Sequence, residues 1–269
     1  MRRDALIVFI LWVVTTAIGL VVAGSADIYP PVAAVEAEHI DQAARTLFLL
    51  ATPVFTFVVV VMLYSIWRFR AKDESEEGPP VYTHQPFAVG WLVVTSALAA
   101  LLFYNPGYVG WQFLQRDPSG ELTVQVTAAQ WHWHVTYPEY GLTITSRPIG
   151  FERMEENAVL ALPAGKRVKF EVTSVDVIHS FWIPALRMKV DAVPGITTTM
   201  YATVTETGSF EEDAAFRAQC AELCGTGHPR MNMRVEIMEP EEFEKWVEEQ
   251  KKMMEMGEMG EGMDDDDDH

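Results

Sequence analysis

The chain has 269 residues, of which 49% are hydrophobic, enough for a sizeable core. Its formal net charge is −18, and no nucleic acid is expected as a partner. The charge is uneven: residues 236–269 carry 15 acidic and 3 basic side chains against 14 and 11 in residues 105–235, so the acidity is mostly that of a tail.

Residues 5–23, Ala-Leu-Ile-Val-Phe-Ile-Leu-Trp-Val-Val through Ala23, follow a basic Met-Arg-Arg start, so residues 1–26 read as a signal peptide or as a first membrane helix. Residues 47–67 contain no charge and match the roughly 20 residues that cross a bilayer. Pro53 within them is tolerated where neighbouring helices satisfy the freed carbonyl. A third apolar run, 87–104, has Trp91 and Tyr104 at interface positions and completes a transmembrane hairpin over residues 40–104. Arg2 and Arg3 precede the first run and Arg68, Arg70 and Lys72 follow the second. The positive-inside bias therefore places both clusters in the cytoplasm and everything from Asn105 onward outside it.

From Leu122 the period becomes two, in Leu122-Thr-Val-Gln-Val-Thr-Ala, then from Val159 and from Val168, with further strands expected over Thr198–Val204, Gly208–Phe210 and Met233–Met238. Short alternating runs divided by Pro and Gly predict a Greek-key β-sandwich of roughly seven strands over residues 105–238. Pro240 then opens a helix with acids in its first turn, assigned to residues 239–255. Residues 256–269, a Met/Gly/Glu-rich run ending in Asp264–Asp268, are expected to be disordered.

Both cysteines lie in one stretch, Cys220-Ala-Glu-Leu-Cys224-Gly-Thr-Gly-His228-Pro-Arg-Met231. Two soft thiolates, an imidazole and a thioether form a ligand set suited to copper. A loop between strands lets both sulfurs converge and turns the Glu222 carbonyl toward them, and His179, ending a predicted strand, is the second imidazole. One thiolate would describe a mononuclear blue-copper centre; two suggest cysteines bridging two copper ions, each completed by one histidine, with Met231 on one and the Glu222 carbonyl on the other. A tight disulfide and a Cys2His2 zinc site are the alternatives.

The stretch Cys-Ala-Glu-Leu-Cys-Gly-Thr-Gly-His with Met231, together with Val177-Ile-His-Ser-Phe-Trp-Ile-Pro and Lys189-Val-Asp-Ala-Val-Pro-Gly195, resembles subunit II of the haem-copper cytochrome c oxidases. The resemblance implies a membrane-anchored all-β protein: N-terminal transmembrane helices, then a cupredoxin-like Greek-key β-sandwich and a C-terminal helix. It implies a binuclear copper A centre on His179, Cys220, Glu222 through its carbonyl, Cys224, His228 and Met231, with the Glu222 side chain binding magnesium at the interface with subunit I. Gln130-Trp131-His132-Trp133 resembles the family's aromatic segment, which makes Trp131 the point where electrons enter. The alternative is that Trp131 and Trp133 share one strand face as packing residues. Arg187, Lys189 and Asp191 are expected to support the site or its interface, and His132 and His134 to be plain surface imidazoles. No carboxylate stands at the start of the last membrane helix, where the family often has one for proton uptake. Glu76, Glu77 and His84 are its nearest substitutes.

The function implied is that of a cell-membrane, multi-pass subunit of a terminal oxidase. It takes electrons on its extracytoplasmic side from a cytochrome c or a small blue-copper protein and passes them to haem in subunit I, where oxygen is reduced to water. The alternatives are a copper A subunit of a nitric oxide reductase and, from another class, a membrane-tethered electron carrier or copper-delivery protein.

Overall fold

The three apolar runs form helices in the computed structural model, which describes residues 2–26, 28–71, 73, 83–114, 119–146 and 158–261. They are α1 (Arg2–Ser25), α2 (Val35–Arg68) and α3 (Gln85–Leu102), all long and apolar enough to cross a membrane. The chain leaves helical geometry at Asn105, the residue before Pro106, and resumes in the short α4 (Val109–Leu114). His84 caps α3, its Nδ1 accepting from the Phe87 N–H at 3.2 Å. Lys72, Glu76, Glu77 and the terminal Asp264–Asp268 lie outside the described residues.

Residues 1–29 and 39–116 make one compact unit, and residues 30–38 and 117–269 a second. Within the first, α1 and α2 run antiparallel along a seam with polar pins. Asp4 accepts from Tyr64 Oη at 2.9 Å and Arg68 Nε at 3.1 Å, the Trp12 indole donates to the Pro53 carbonyl at 2.8 Å, and the Thr16 and Thr56 hydroxyls meet at 2.7 Å. A Cβ on Gly19 would come within 2.8 Å of the Thr52 methyl, so a glycine is what lets the backbones approach there.

The second unit is a sandwich of β1 (Leu122–Ala129), β2 (His132–Tyr137), β3 (Leu142–Thr145), β4 (Val159–Pro163), β5 (Arg167–Ser174), β6 (His179–Ile183), β7 (Met188–Ala192), β8 (Thr198–Thr203), β9 (Gly208–Ser209), β10 (Arg217–Cys220) and β11 (Asn232–Met238). One sheet has the order β3-β2-β1-β5-β8; the other has β4-β11-β10-β6-β7 with β9 beside β11. There are more strands than the sequence pattern suggests, and among the additional ones β3 and β10, of four residues each, are too short to show alternation. Where alternation is clear it decides the faces: Val124, Val126 and Ala128 of β1 and Trp133, Val135 and Tyr137 of β2 point inward and are fully buried. Each large apolar side chain buried this way contributes about 1.5–3 kcal/mol relative to exposure.

Residues 30–38 belong to this unit through a buried clasp. Glu36 is 3% exposed, pairs with Arg167 at 2.8 Å and accepts from the Thr203 N–H at 2.7 Å. Breaking such a pair strands a buried charge, at a cost of about 3–5 kcal/mol. Arg187, in left-handed geometry, donates to the carbonyls of Pro30 and Pro31. The C-terminal helix α5 (Pro240–Glu261) lays Phe243, Trp246 and Val247, spaced three and four apart, onto Tyr137 and Tyr140. It runs to Glu261, past residue 255 where the sequence pattern ends it.

Candidate metal centre

Three adjacent strands bring the donors together. β10 pairs antiparallel with β6 so that Cys220 lies opposite Phe181, and β10 leads through residues 221–227 and a 3-10 turn, His228–Arg230, into β11. The loop closes on itself: the Cys220 N–H donates to the Met231 carbonyl at 3.0 Å and the His228 N–H to the Gly225 carbonyl at 3.1 Å. His179, at the start of β6, is thereby placed beside residues 41 positions later.

The six sequence-derived donors converge. His179 Nδ1 lies 3.8 Å from Cys220 Sγ, Cys220 Sγ 3.7 Å from Cys224 Sγ, and Cys224 Sγ 3.6 Å from His228 Nδ1. Met231 Sδ approaches Cys224 Sγ at 3.9 Å, and the Glu222 carbonyl approaches Cys220 Sγ at 3.2 Å. His179, Cys220 and Cys224 are buried and their donor atoms lie within 4.8 Å of one another.

The sulfur separation discriminates among the candidate chemistries. At 3.7 Å the thiols are free, far beyond the ~2.05 Å of a disulfide, and close enough together to serve one metal centre. Six donors exceed the four of a structural zinc site, and a thioether among them favours copper. Burial, with Cys220 next to it, pushes the Cys224 thiol up to about 12, so its thiolate needs a cation close by. The residues present therefore fit a soft metal such as copper.

Asp176 is a member of the site that sequence reasoning did not single out. Its Oδ1 is 2.9 Å from His179 Nε2, and its Oδ2 accepts from the Gln130 N–H at 2.7 Å. Burial alone would raise this carboxyl, but the hydrogen bonds from His179, Gln130 and Val177 prevail and hold it down at about 2. A carboxylate behind a metal-facing imidazole fixes the ring's orientation and its tautomer. The available signal was an aspartate three positions before the histidine.

Trp131 is not on a strand face. It sits in the turn between β1 and β2, half-buried, while Trp133 on β2 is fully buried and packs edge-on to Phe181 with ring centroids 5.3 Å apart. The Trp131 indole donates to the Cys224 carbonyl at 3.1 Å, and Gln130 Nε2 donates to the same oxygen at 2.7 Å. A Cβ on Gly227 would fall 2.2 Å from the indole, so that glycine makes the indole's seat. Glu222 is exposed; Asp191 accepts from Ser180 Oγ at 2.7 Å, next to His179. His132 and His134 are on the other face of β2 from Trp133, outside the sulfur cluster.

The family model described as cytochrome c oxidase subunit II, periplasmic domain, matches residues 122–238. The chain is 31% identical over 232 residues to the alternative cytochrome c oxidase subunit 2 of Bradyrhizobium diazoefficiens, covering 79% of this chain and 80% of that one. It is 26% identical over 240 residues to the probable cytochrome c oxidase subunit 2 of Rickettsia bellii, covering 86% of each. Among solved structures, the periplasmic domain of subunit II of the Bradyrhizobium japonicum cytochrome oxidase matches at a TM-score of 0.45 and 32% identity, covering 51% of this chain and 97% of that chain.

Proposed function

Since the chain belongs to the cytochrome c oxidase subunit II family, a component of an oxidoreductase complex, we propose that it accepts electrons from an external one-electron carrier and delivers them to haem in subunit I, where oxygen is reduced to water. Two copper ions, held by His179, Cys220, the Glu222 carbonyl, Cys224, His228 and Met231, would supply the one-electron store between donor and haem. The observation that carries this reading is the paired thiols 3.7 Å apart, each with one imidazole 3.6–3.8 Å away.

The chain's own residues then have separate tasks. Trp131 presents an indole at the surface while bonded to the backbone of Cys224, a short covalent and hydrogen-bonded path from a docked donor to the thiolates. Asp176 holds His179, and the paired strands keep donor positions nearly constant, which lowers the reorganisation accompanying charge transfer. Glu222 divides its roles: its carbonyl faces Cys220, and its exposed carboxylate, a hard oxygen ligand, is suited to magnesium shared with subunit I.

The sandwich lies on the extracytoplasmic side. The positive-inside bias supports that side, and α1 antiparallel to α2 brings Arg2 and Arg3 to the same end as Arg68 and Arg70. The polar pins along that seam support α1 as a retained membrane helix, since a leader bound for removal needs no matched contacts with the span behind it.

An affinity-tagged full chain solubilised from its native membrane tests the assignment. A haem-bearing chain is expected to co-purify with it in fixed ratio; haem-free isolation would leave a tethered carrier. In the same preparation, peptides from residues 2–25 should be recovered, and their absence would make α1 a cleaved leader. Glu222→Gln should lose bound magnesium while keeping the copper spectrum; retained magnesium would remove that role.

A further inference from the structure

The outward face of β2 carries a second pair of metal-ligating side chains. Residues two apart on a strand share a face, so His132 and His134 both project away from the core that Trp133 and Val135 fill. Their Nε2 atoms are 2.9 Å apart and their rings meet edge to face with centroids 4.6 Å apart. His134 Nδ1 is 2.8 Å from Thr145 Oγ1 on the neighbouring strand β3. With Nδ1–H donating to that hydroxyl, His134 keeps its Nε2 lone pair directed at His132, the arrangement in which outer partners prepare metal-bound imidazoles.

We propose that His132 and His134 form a chelating site for one tetragonal divalent cation, copper(II) foremost, separate from the buried sulfur centre. The geometry selects the class. An ion at the ~2.0–2.1 Å of a metal–imidazole bond from two nitrogens 2.9 Å apart subtends roughly 90° between them, the cis angle of a tetragonal site rather than the wider angle of tetrahedral zinc. Copper(II) also stands at the top of the affinity order for nitrogen ligands. Water would complete the coordination on this half-buried face, where the residue opposite His134 on β1 is Thr127. Binding replaces the hydrogen bond now shared by the two rings and requires both Nε2 atoms unprotonated.

The test starts from the full chain in detergent, copper-loaded and then washed with a chelator to strip surface-held ions. One equivalent of copper(II) is added and the electron paramagnetic resonance spectrum recorded. The wild type should develop a mononuclear tetragonal signal with coupling to two nitrogens, lost in both His132→Gln and His134→Gln while the visible spectrum of the sulfur centre is unchanged. A signal of aqueous copper alone, or a nitrogen-coupled signal that persists in either variant, would overturn the assignment.

Discussion

Cys224→Ser is expected to abolish the coupled copper pair while leaving the sandwich folded. Cys224 Sγ is the meeting point of the site, with Cys220 Sγ at 3.7 Å, His228 Nδ1 at 3.6 Å and Met231 Sδ at 3.9 Å. A serine oxygen is shorter-reaching, harder and almost never ionised at neutral pH, so it neither bridges two ions nor retains copper against zinc. The affinity lost should exceed the ~100-fold upper range seen when only an outer partner of a metal ligand is removed. Competition with a chelator measures it, and circular dichroism reports the fold. A variant that kept two copper ions and a shared unpaired electron would show that Cys224 does not bridge.

Trp131→Ala should weaken docking of the donor and slow its oxidation while the copper spectrum stays intact. An aromatic anchor at an interface contributes about 2 kcal/mol, or about thirtyfold in affinity. Removing the indole also removes its bond to the Cys224 carbonyl, whereas Gln130 Nε2 still satisfies that oxygen at 2.7 Å. Stopped-flow reduction at varied donor concentration separates docking from transfer. Gly227→Ala reaches the same end from the opposite side: φ at Gly227 is −88°, which any residue adopts, so the obstacle to a methyl there is the indole it would strike. Both variants should slow reduction; loss of the copper spectrum in Trp131→Ala would make the tryptophan a packing residue.

The cluster of donor side chains was readable because chemistry restricts their residue types: two cysteines, a histidine and a methionine within twelve positions suit few tasks besides holding a soft metal. His179 was readable as a second imidazole but not by its place: it opens β6 instead of ending a strand, and the pairing of β6 with β10 that seats it beside Cys220 depends on contacts 41 positions apart. Asp176 and Gln130 were not. Each acts through a hydrogen bond made by a turn, and turns carry no periodicity from which to infer a partner. The same turn separates Trp131 from Trp133, which strict alternation would have placed on one face. The charged start of α2 escapes a hydropathy reading for a different physical reason: Glu36 is buried there by an ion pair with Arg167, and hydropathy treats every glutamate as exposed. His132 and His134 look like ordinary surface imidazoles in sequence, and only the 2.9 Å between their nitrogens makes them a pair.

We propose that this chain holds two copper ions sharing one electron between Cys220 and Cys224. Metal analysis together with electron paramagnetic resonance on the chelator-washed, partly oxidised full chain reads both the ion count and the electron's distribution. Two copper ions per chain and one unpaired electron with equal hyperfine coupling to both nuclei are expected. One copper ion per chain, with coupling to a single nucleus, would contradict it.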